Sequence, residues 1–580
     1  MTDPLLTIAE RSDYRLTGRS DEVEALCAEF EKRWPDAVRS FEYGRSAEGR
    51  PMRAMIVSRC RSLDAAELQA RSVPVLMLQG GIHPGESDGK DAGFMVLRDL
   101  LSASPASALL NDIAVLFVPA FNVDGHERVG RWNRPNQVGP EETGWRATAQ
   151  NLNLNRDYMK AESPEMQAML RLLNAWDPLV CADLHVTDGA DFEPDISLQV
   201  EPVNQGDARL CTIGVELRTA LIDDLAAQGS IPLPFYPDLV ETDNPASGFV
   251  LTVYSPRFST GYFPQRNRWT VLVETHSWKP YATRVRVTQN TIMGLIKLMA
   301  RNGAAWLGAA RGADAAAAAL NGAEMTLAYA SSWREPTAGA EVTEVDATAE
   351  AEMIDFRGYA YTRDVSAISG ALATTYDPST PQIWHVPYRN KVKASLVVPA
   401  PRGGYAIPAG WADIIGAKLE HHGVRFSALE DARRIDRAEV FRATHVRFSA
   451  GPFEGRMQAT VDGAWSEEAV ELGAGALIVP ITQALSRLAM ALLEPQAPDS
   501  LLAWGFFNAC FEQKEALEPY VAEAIARDMW ANDMNLRTAF NRRLAEDAAF
   551  AASADARLEF FLRRHASWDD QYMRYPVVRV

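Results

Sequence analysis

Four short aliphatic runs in the first half of the chain alternate with segments of helical periodicity. The runs cover residues 73–78, 113–118, 179–184 and 269–273. Their length and composition are typical of buried strands. Between two of the runs, Phe94, Leu97 and Leu101 recur at helical spacing. This alternation predicts an α/β domain with a mixed central sheet flanked by helices.

The second half of the chain has a different pattern. An alanine run at 315–319 indicates a helix end or a helical connector, and an acidic stretch follows at 341–352. Beyond it, strand-like segments at 394–398 and 439–448 are mixed with helical segments at 412–419 and 481–564. We therefore predict a first domain at residues 1–310 and a second, α+β region of unknown role at residues 320–580.

Charge and cysteine content limit the possible partners. The chain of 580 residues has a formal net charge of -18, which argues against nucleic acid and against a membrane surface as partners. Its five cysteines include no CxxC pair, so neither a sulfur-ligated metal nor a disulfide framework is expected. Residues 1–17 contain no apolar run typical of a secretion signal. This favours a cytoplasmic protein, although a trimmed signal would leave the same sequence. The oligomeric state is not readable from these features.

A possible metal site begins directly after the first aliphatic run, where His83 and Glu86 lie three positions apart. An imidazole and a carboxylate on one tight turn can bind a single cation and leave coordination positions open. His185 follows about a hundred residues later, at the end of the third run, where it can supply a third ligand. Buried strands usually lead into loops, and loops are rich in polar residues. The position of these residues after strands is therefore weak support for a metal site by itself.

Glu274 ends the fourth run, where an apolar wall would desolvate its carboxylate. Desolvation raises the pKa of a carboxylate, as a general base beside a metal requires. The alternative is a strand-end carboxylate that pairs with Arg266 or Arg268. Asp183, two residues before His185, is expected either to orient that imidazole or to line a loop.

The ordered set His83, Glu86, His185 and Glu274 resembles that of the M14 family of zinc carboxypeptidases. Further motifs similar to those of the family are Gly-Arg-Ser-Ala-Glu-Gly-Arg-Pro at 44–51, Asn-Val-Asp-Gly at 122–125, Gly-Trp-Arg at 144–146 and Asn-Leu-Asn-Arg-Asp at 153–157. The HxxE pair alone is a weak signal, whereas the ordered set over residues 20–300 is specific.

The resemblance implies a zinc ion (Zn2+) held by His83, Glu86 and His185, with water in its fourth position. It also implies that Glu274 accepts a proton from this water as the water attacks, and then passes the proton to the leaving amine. The implied reaction is hydrolysis of a peptide bond.

The resemblance further implies how a substrate binds. Arg146 matches the arginine that faces the developing oxyanion, and Asn155 and Arg156 match the pair that grips the terminal carboxylate of the substrate. The family also uses a tyrosine on a loop ahead of the base; Tyr254 is the candidate by spacing, and Tyr262 is the alternative. The implied partner is a peptide with a free C-terminal carboxylate, and the implied activity is that of a metallocarboxypeptidase.

One position departs from the family pattern. Asn153 stands where the family often carries an aspartate that supports a zinc-binding histidine. A neutral acceptor holds the imidazole less strongly, which weakens metal affinity or shifts the supporting role to Asp183 or Asp157. The floor of the substrate pocket is expected at 255–263, where small residues leave room without identifying a preferred side chain.

Four other histidines are given structural roles. His126 and His276 are expected to be polar loop or rim residues rather than further ligands. His421 and His422 precede Gly423 and are typical of a helix C-terminus.

Two other functions are compatible with the same residues. A zinc amide hydrolase that acts on N-acyl amino acids or cell-wall peptides would use the same metal and base. A non-catalytic binding protein could retain the zinc site as scaffolding, with the second region as an interaction module.

Overall fold

The computed structural model describes residues 3–102, 105–331, 351–515 and 517–580. The helices are α1 (Ile8–Arg11), α2 (Ser20–Arg33), α3 (Ala65–Ala70), α4 (Asp88–Leu101), α5 (Val123–Glu127), α6 (Pro164–Trp176), α7 (Ala208–Ala227), α8 (Ser259–Gln265), α9 (Tyr281–Ala317), α10 (Ala409–His422), α11 (Ser486–Leu493), α12 (Pro519–Asn532), α13 (Met534–Glu546), α14 (Ala548–Ala552) and α15 (Ala554–Leu562). Most of the acidic stretch at 341–352 lies outside the described residues.

The strands of the first half are β1 (Val38–Arg45), β2 (Pro51–Ser58), β3 (Val75–Gly80), β4 (Ala114–Val118), β5 (Val180–Val186), β6 (Ile196–Glu201), β7 (Pro232–Leu233), β8 (Asp238–Leu239), β9 (Phe249–Val250) and β10 (Trp269–Thr275). Those of the second half are β11 (Glu324–Ser331), β12 (Glu352–Val365), β13 (Leu372–Arg389), β14 (Val392–Pro399), β15 (Gly404–Ile407), β16 (Ser427–Ala428), β17 (Arg433–Phe448), β18 (Ala459–Leu472), β19 (Leu477–Pro480) and β20 (Val578–Arg579).

An eight-stranded mixed sheet forms the centre of the first half, in the order β1-β2-β4-β3-β5-β10-β6-β7. The four aliphatic runs form β3, β4, β5 and β10, which lie side by side and parallel. Every residue of these four strands is buried, because helices cover the sheet. The predicted α/β class with a mixed, helix-flanked sheet is confirmed.

The carboxyl ends of three of these parallel strands meet at one edge of the sheet. In the pairing of β3 with β5, Gln79 is opposite Asp183. In the pairing of β5 with β10, His185 is opposite Glu274. Opposed residues of adjacent strands project to the same face, so the polar residues at these strand ends are brought together.

The second half contains both sheets and helices, as predicted. Its largest sheet has six strands in the order β16-β19-β15-β20-β17-β18. The long hairpin of β12 and β13 extends a small sheet of the first half, since β13 pairs with β9. Helix α9 ends within the alanine run at 315–319, so of the two predictions for this run, a helix end and a helical connector, the first is confirmed.

One hydrophobic core runs through both halves of the chain. Trp504 and Leu488 of the second half belong to the same buried cluster as Tyr262 and Phe263 of the first. Burial of apolar surface between the halves therefore holds the second half against the sheet that carries the polar strand ends. Among the helices described, none combines the length and apolar character needed to cross a bilayer.

Candidate active site

Three side chains meet at the carboxyl edge of the central sheet. Nδ1 of His83 lies 3.0 Å from Oε1 of Glu86, and Nδ1 of His185 lies 2.8 Å from Oε2 of the same carboxylate. One ligand atom from each residue falls within 4.8 Å of the others, and all three side chains are buried. Two imidazole nitrogens and one carboxylate oxygen are a ligand set suited to a catalytic metal.

A tight turn after β3 brings the first two of these residues together. The backbone N–H of Glu86 donates to the carbonyl of His83 at 3.0 Å. Gly85 is required inside this turn, because a Cβ there would lie 2.3 Å from Cγ of Arg134. The spacing of three residues and the glycine therefore place imidazole and carboxylate on the same side of the chain.

The outer nitrogen of each histidine faces an acceptor. Nε2 of His83 lies 3.1 Å from Oδ1 of Asn153, and Nε2 of His185 lies 3.2 Å from Oδ1 of Asp183. An acceptor at the outer nitrogen keeps the proton there and leaves the inner nitrogen free to bind a metal. The two histidines therefore have different supports, one neutral and one charged.

Asp183 is itself held in place by two donors. Nε2 of Gln79 donates to one carboxylate oxygen at 2.7 Å, and the hydroxyl of Ser259 donates to the other at 2.6 Å. Asp157, the other acceptor considered from the sequence, instead accepts from Nζ of Lys160 at 2.7 Å. Of the two, only Asp183 contacts a histidine of the site.

Burial and neighbouring charges shift the pKa values of the three candidate ligands, often in opposite directions. Burial alone raises the pKa of Glu86, but the positive charges of Arg134, His83 and His185 outweigh it and bring this pKa well below its usual value. Burial lowers the pKa of His83 to about 4. For His185 burial also lowers the pKa, but Asp183 and Glu86 overcome this effect and raise the pKa well above its usual value.

Glu274 lies beside these ligands with a free acceptor atom. Burial raises the pKa of its carboxyl group to about 8. Its Oε2 is buried, and no group in the described ranges forms a hydrogen bond with it. The alternative pairing with arginine is wrong: Arg268 binds Asp177 at 2.7 Å, and Arg266 donates to Asn174 at 2.9 Å.

A cavity of about 280 Å³ opens over the ligand set and Glu274. All four residues named for substrate binding and oxyanion stabilisation also line this cavity: Arg146, Asn155, Arg156 and Tyr254. Residues from six separate stretches of the sequence therefore share one concave surface.

The arginines of the cavity have few negative partners. Nη1 of Arg146 lies 3.4 Å from Nδ1 of His83 and 3.8 Å from Oε1 of Glu86. The Arg156 guanidinium lies 4.2 Å from the centre of the Phe258 ring, and no carboxylate in the described part of the chain forms an ion pair with it. Burial, followed by the charge of Arg146, lowers the pKa of Arg156 to about 10.

The two candidate tyrosines have different environments. The Tyr254 hydroxyl lines the cavity and donates to Oδ2 of Asp238 at 3.1 Å. The Tyr262 hydroxyl lies 2.9 Å from Nδ1 of His422, in the core away from the cavity. Of the two, Tyr254 has the position that a substrate-binding tyrosine needs.

Two of the motifs that carry the family resemblance contact each other rather than the cavity. The hydroxyl of Ser46 donates to Asp124 at 2.6 Å, and Arg50 donates to the same carboxylate at 2.7 Å. The N–H of Trp145 donates to the carbonyl of Gly125 at 2.8 Å. These motifs thus brace the segment that carries Arg146.

The remaining histidines lie outside the cavity. His126 contacts the carbonyl of Gly18 at 3.1 Å, and His276 stacks on Phe192 with ring centres 3.9 Å apart. Helix α10 ends at His422, so the prediction of a helix C-terminus is confirmed.

The sequence did not identify Arg134 as a residue of this centre. Its Nη1 donates to Oε1 of Glu86 at 2.7 Å, which makes it the charge partner of a candidate metal ligand. It is one of three arginines in the loop at 128–134, and nothing in the local sequence distinguishes it from the other two. Asp188 and Asp238, two further carboxylates of the cavity lining, were also missed.

Comparison with known proteins finds similarity to carboxypeptidases. Residues 23–190 match the model of the M14 peptidase family, described as zinc carboxypeptidase. Carboxypeptidase 2 of Trichophyton tonsurans is 25% identical over 480 residues, which cover 80% of this chain and 79% of the relative. Carboxypeptidase D of Drosophila melanogaster is 29% identical over 147 residues, which cover 24% of this chain and 10% of the relative. The crystal structure of carboxypeptidase A from Helicoverpa armigera aligns with a TM-score of 0.36 and 18% identity, covering 50% of this chain and 74% of that one.

Residues 23–190 thus match a zinc carboxypeptidase domain of the M14 family, and the chain is a peptidase. The family resemblance inferred from the ordered motifs is therefore confirmed.

Proposed function

We propose that this protein is a zinc-dependent carboxypeptidase that releases C-terminal residues from peptides. The observation that carries the proposal is one cavity in which the ligand set, the unpartnered Oε2 of Glu274 and the guanidinium of Arg156 meet. Such a cavity combines candidate metal ligands, a candidate base and a site for a carboxylate.

The residues present fit a zinc ion. His83, Glu86 and His185 would hold it, because their ligand atoms already lie within 4.8 Å of one another and both outer imidazole nitrogens face acceptors. When bound, zinc supplies a Lewis acid that lowers the pKa of water and polarises the scissile carbonyl.

Glu274 is proposed to carry the proton. Its buried carboxylate, with a pKa raised to about 8, is a stronger base than an exposed one and has an oxygen without a hydrogen-bond partner among the described groups. It would take a proton from the attacking water and deliver it to the nitrogen of the leaving amine. Arg146 would stabilise the oxyanion that forms at the scissile carbonyl, because its side chain faces the ligand set.

The preference for a chain end rests on Arg156 and Asn155. A buried guanidinium without a carboxylate partner gains most from a substrate that brings one. Asn155 also lines the cavity, where its Nδ2 would donate to a substrate carboxylate. A free terminal carboxylate satisfies the arginine, whereas an internal peptide bond does not.

The test combines metal analysis with a substrate panel. The purified protein should contain about one zinc per chain and should release C-terminal residues from N-acetylated peptides but not from the same peptides with a C-terminal amide. The Glu274→Gln variant should keep its zinc and lose roughly 10²- to 10⁴-fold in turnover.

Three results would contradict parts of the proposal. Parental turnover in Glu274→Gln would exclude the assigned base. Hydrolysis confined to N-acyl amino acids or to cell-wall peptides would support an amide hydrolase instead. Stoichiometric zinc without hydrolysis of any member of the panel would support a binding protein.

A further inference from the structure

We propose that the second half of the chain completes the carboxylate-binding part of the active site through two positioning residues, Glu454 and Asp499. This inference rests on the proposed function, because it assigns a role to residues that hold Asn155 and Arg156 in place. Neither residue touches the metal ligands, and both lie far along the chain from the family domain.

A tight turn at residues 453–456 presents Glu454 to the active site. Phe453 and Arg456 exchange backbone hydrogen bonds at 2.9 and 3.0 Å, which leaves two residues at the tip. These are Glu454 with φ of 49° and Gly455 with φ of 80°, both in the left-handed region. Glycine adopts this region easily, but glutamate does not, and strained residues of this kind concentrate at functional sites.

The Glu454 side chain holds the start of the substrate-binding segment. Its Oε2 accepts a hydrogen bond from the backbone N–H of Asn153 at 2.8 Å. Oδ1 of Asn153 in turn accepts from the N–H of Asn155 at 3.0 Å and lies 3.1 Å from Nε2 of His83. One contact from the second half therefore fixes a residue that supports both the metal centre and the carboxylate site.

Asp499 holds the opposite side of the same site. Its Oδ2 accepts from the backbone N–H of Arg257 at 2.9 Å, and its Oδ1 lies 2.7 Å from Nε of that arginine. The next residue, Phe258, lies under the Arg156 guanidinium at 4.2 Å. The Arg156 side chain is thus enclosed between two segments that the second half anchors.

The turn that carries Glu454 is itself attached firmly to both halves. Nε of Arg456 donates to Oε1 of Glu162 at 2.9 Å, and its guanidinium lies 4.0 Å from the Phe506 ring. The Phe453 ring is stacked with that of Trp504, with centres 6.0 Å apart. Such anchoring keeps Glu454 at a defined position relative to Asn153, as a positioning role requires.

The negative charge of Glu454 also offsets repulsion among the arginines near Arg156. Burial and the positive charges of Arg146 and Arg257 lower the pKa of Arg156, whereas the negative charge of Glu454 acts in the other direction. Glu454 therefore moderates repulsion within a cluster of arginines before a substrate carboxylate arrives.

The test uses two substitutions at one position. Glu454→Asn keeps the turn, because asparagine tolerates positive φ, but its side chain is one methylene too short to reach Asn153. Glu454→Gln keeps the length and an oxygen acceptor. Glu471→Ala, on the exposed face of β18, is the control for loss of a carboxylate. For each protein we would measure KM and kcat on the best peptide of the panel, the zinc affinity by chelator competition, and Tm.

We expect Glu454→Asn to raise KM about tenfold, and to weaken zinc binding severalfold, with little change in Tm. Glu454→Gln should recover most of both effects, and Glu471→Ala should match the parent. KM and zinc affinity of Glu454→Asn within twofold of the parent would overturn the proposal. Equal losses in the Asn and Gln variants would overturn it too, since the hydrogen bond would not be their cause.

Two provisions keep the result interpretable. If Glu454→Asn lowers Tm strongly, Asp499→Gly replaces it, because glycine tolerates a φ of 61° and removes the acceptor that holds the N–H of Arg257; an unchanged KM in that variant would overturn the proposal. If the parent hydrolyses no peptide, the proposed function fails, but the comparison of zinc affinities still decides whether Glu454 positions Asn153.

Discussion

Nε2 of His83 lies 3.1 Å from Oδ1 of Asn153, so a neutral amide supports one of the two candidate zinc-binding histidines. The other, His185, faces the carboxylate of Asp183 at 3.2 Å. A charged acceptor increases the basicity of an imidazole more than an amide does. The two histidines of the candidate metal site are therefore supported unequally.

This asymmetry predicts that Asn153→Asp tightens zinc binding. The aspartate can keep the hydrogen bond from the N–H of Asn155 and adds a charge opposite His83. We expect a gain of about tenfold in zinc affinity, measured by chelator competition. Asn151→Asp is the matched control, because it adds the same charge on the exposed surface nearby. The same gain in both variants would mean that general charge, and not the contact with His83, is responsible.

Replacement of Arg156 by glutamine should weaken the binding of peptides with a free carboxylate. A hydrogen bond to a charged group contributes about 1.5–3 kcal/mol, so we expect KM to rise roughly 10- to 100-fold. Steady-state kinetics on the best peptide of the panel measures this. Arg447→Gln, which removes an exposed arginine paired with Asp462, should leave KM unchanged. An unchanged KM in Arg156→Gln would place the carboxylate site elsewhere.

Substitution of Tyr254 should lower activity, whereas substitution of Tyr262 should lower stability. Tyr254→Phe removes a hydroxyl from the cavity and should lower kcat/KM by about tenfold while Tm stays close to that of the parent. Tyr262→Phe removes the partner of the buried His422 and should lower the free energy of unfolding by about 1–3 kcal/mol with activity retained. Activity assays and thermal unfolding of both variants check this, and the reverse pattern would make Tyr262 the substrate-binding residue.

The environment of His422 indicates that acid weakens a contact between the two halves of the chain. Its Nε2 donates to the carbonyl of Met159 at 3.0 Å, and its Nδ1 accepts from Tyr262, so the neutral imidazole satisfies both contacts. Burial lowers the pKa of this group from 6.5 to about 3. As pH falls, the unfolded chain therefore takes up the proton first. The stability that His422 contributes is complete above pH 6.5 and is lost between there and about pH 3.

Comparison with His422→Gln isolates this effect. Within that pH range, the advantage of the parent in unfolding free energy should shrink by about 1.4 kcal/mol per pH unit. Denaturant unfolding of both proteins at several pH values between 7 and 5 measures it. A difference that does not vary with pH would show that the histidine is not neutral in the folded protein.

Much of the fold and of the candidate metal site could be predicted from local patterns. The aliphatic runs that form β3, β5 and β10 are buried on both faces, and such strands leave a continuous apolar signal in the sequence. His83 and Glu86 are joined by one turn, so their spacing alone brings them together.

The choice between alternatives needed the tertiary structure. Arg266 and Arg268 are closer to Glu274 in sequence than any ligand, yet both bind other groups, and Glu274 faces His185 across the sheet. Likewise, spacing favours Tyr254 but leaves Tyr262 as an alternative, and the structure separates them by placing Tyr254 in the cavity lining and Tyr262 against His422.

The sequence by itself determined the class of fold and which residues are candidate ligands and base, because turn geometry and strand burial depend on neighbouring residues. Only the tertiary structure decided that Arg134 pairs with Glu86, and that Glu454 reaches Asn153 across 301 positions of the chain. Contacts of that range come from how the sheets and helices pack against one another. The periodicity of the local sequence does not predict such packing. The contribution of the second half to the proposed active site is therefore visible only in the folded molecule.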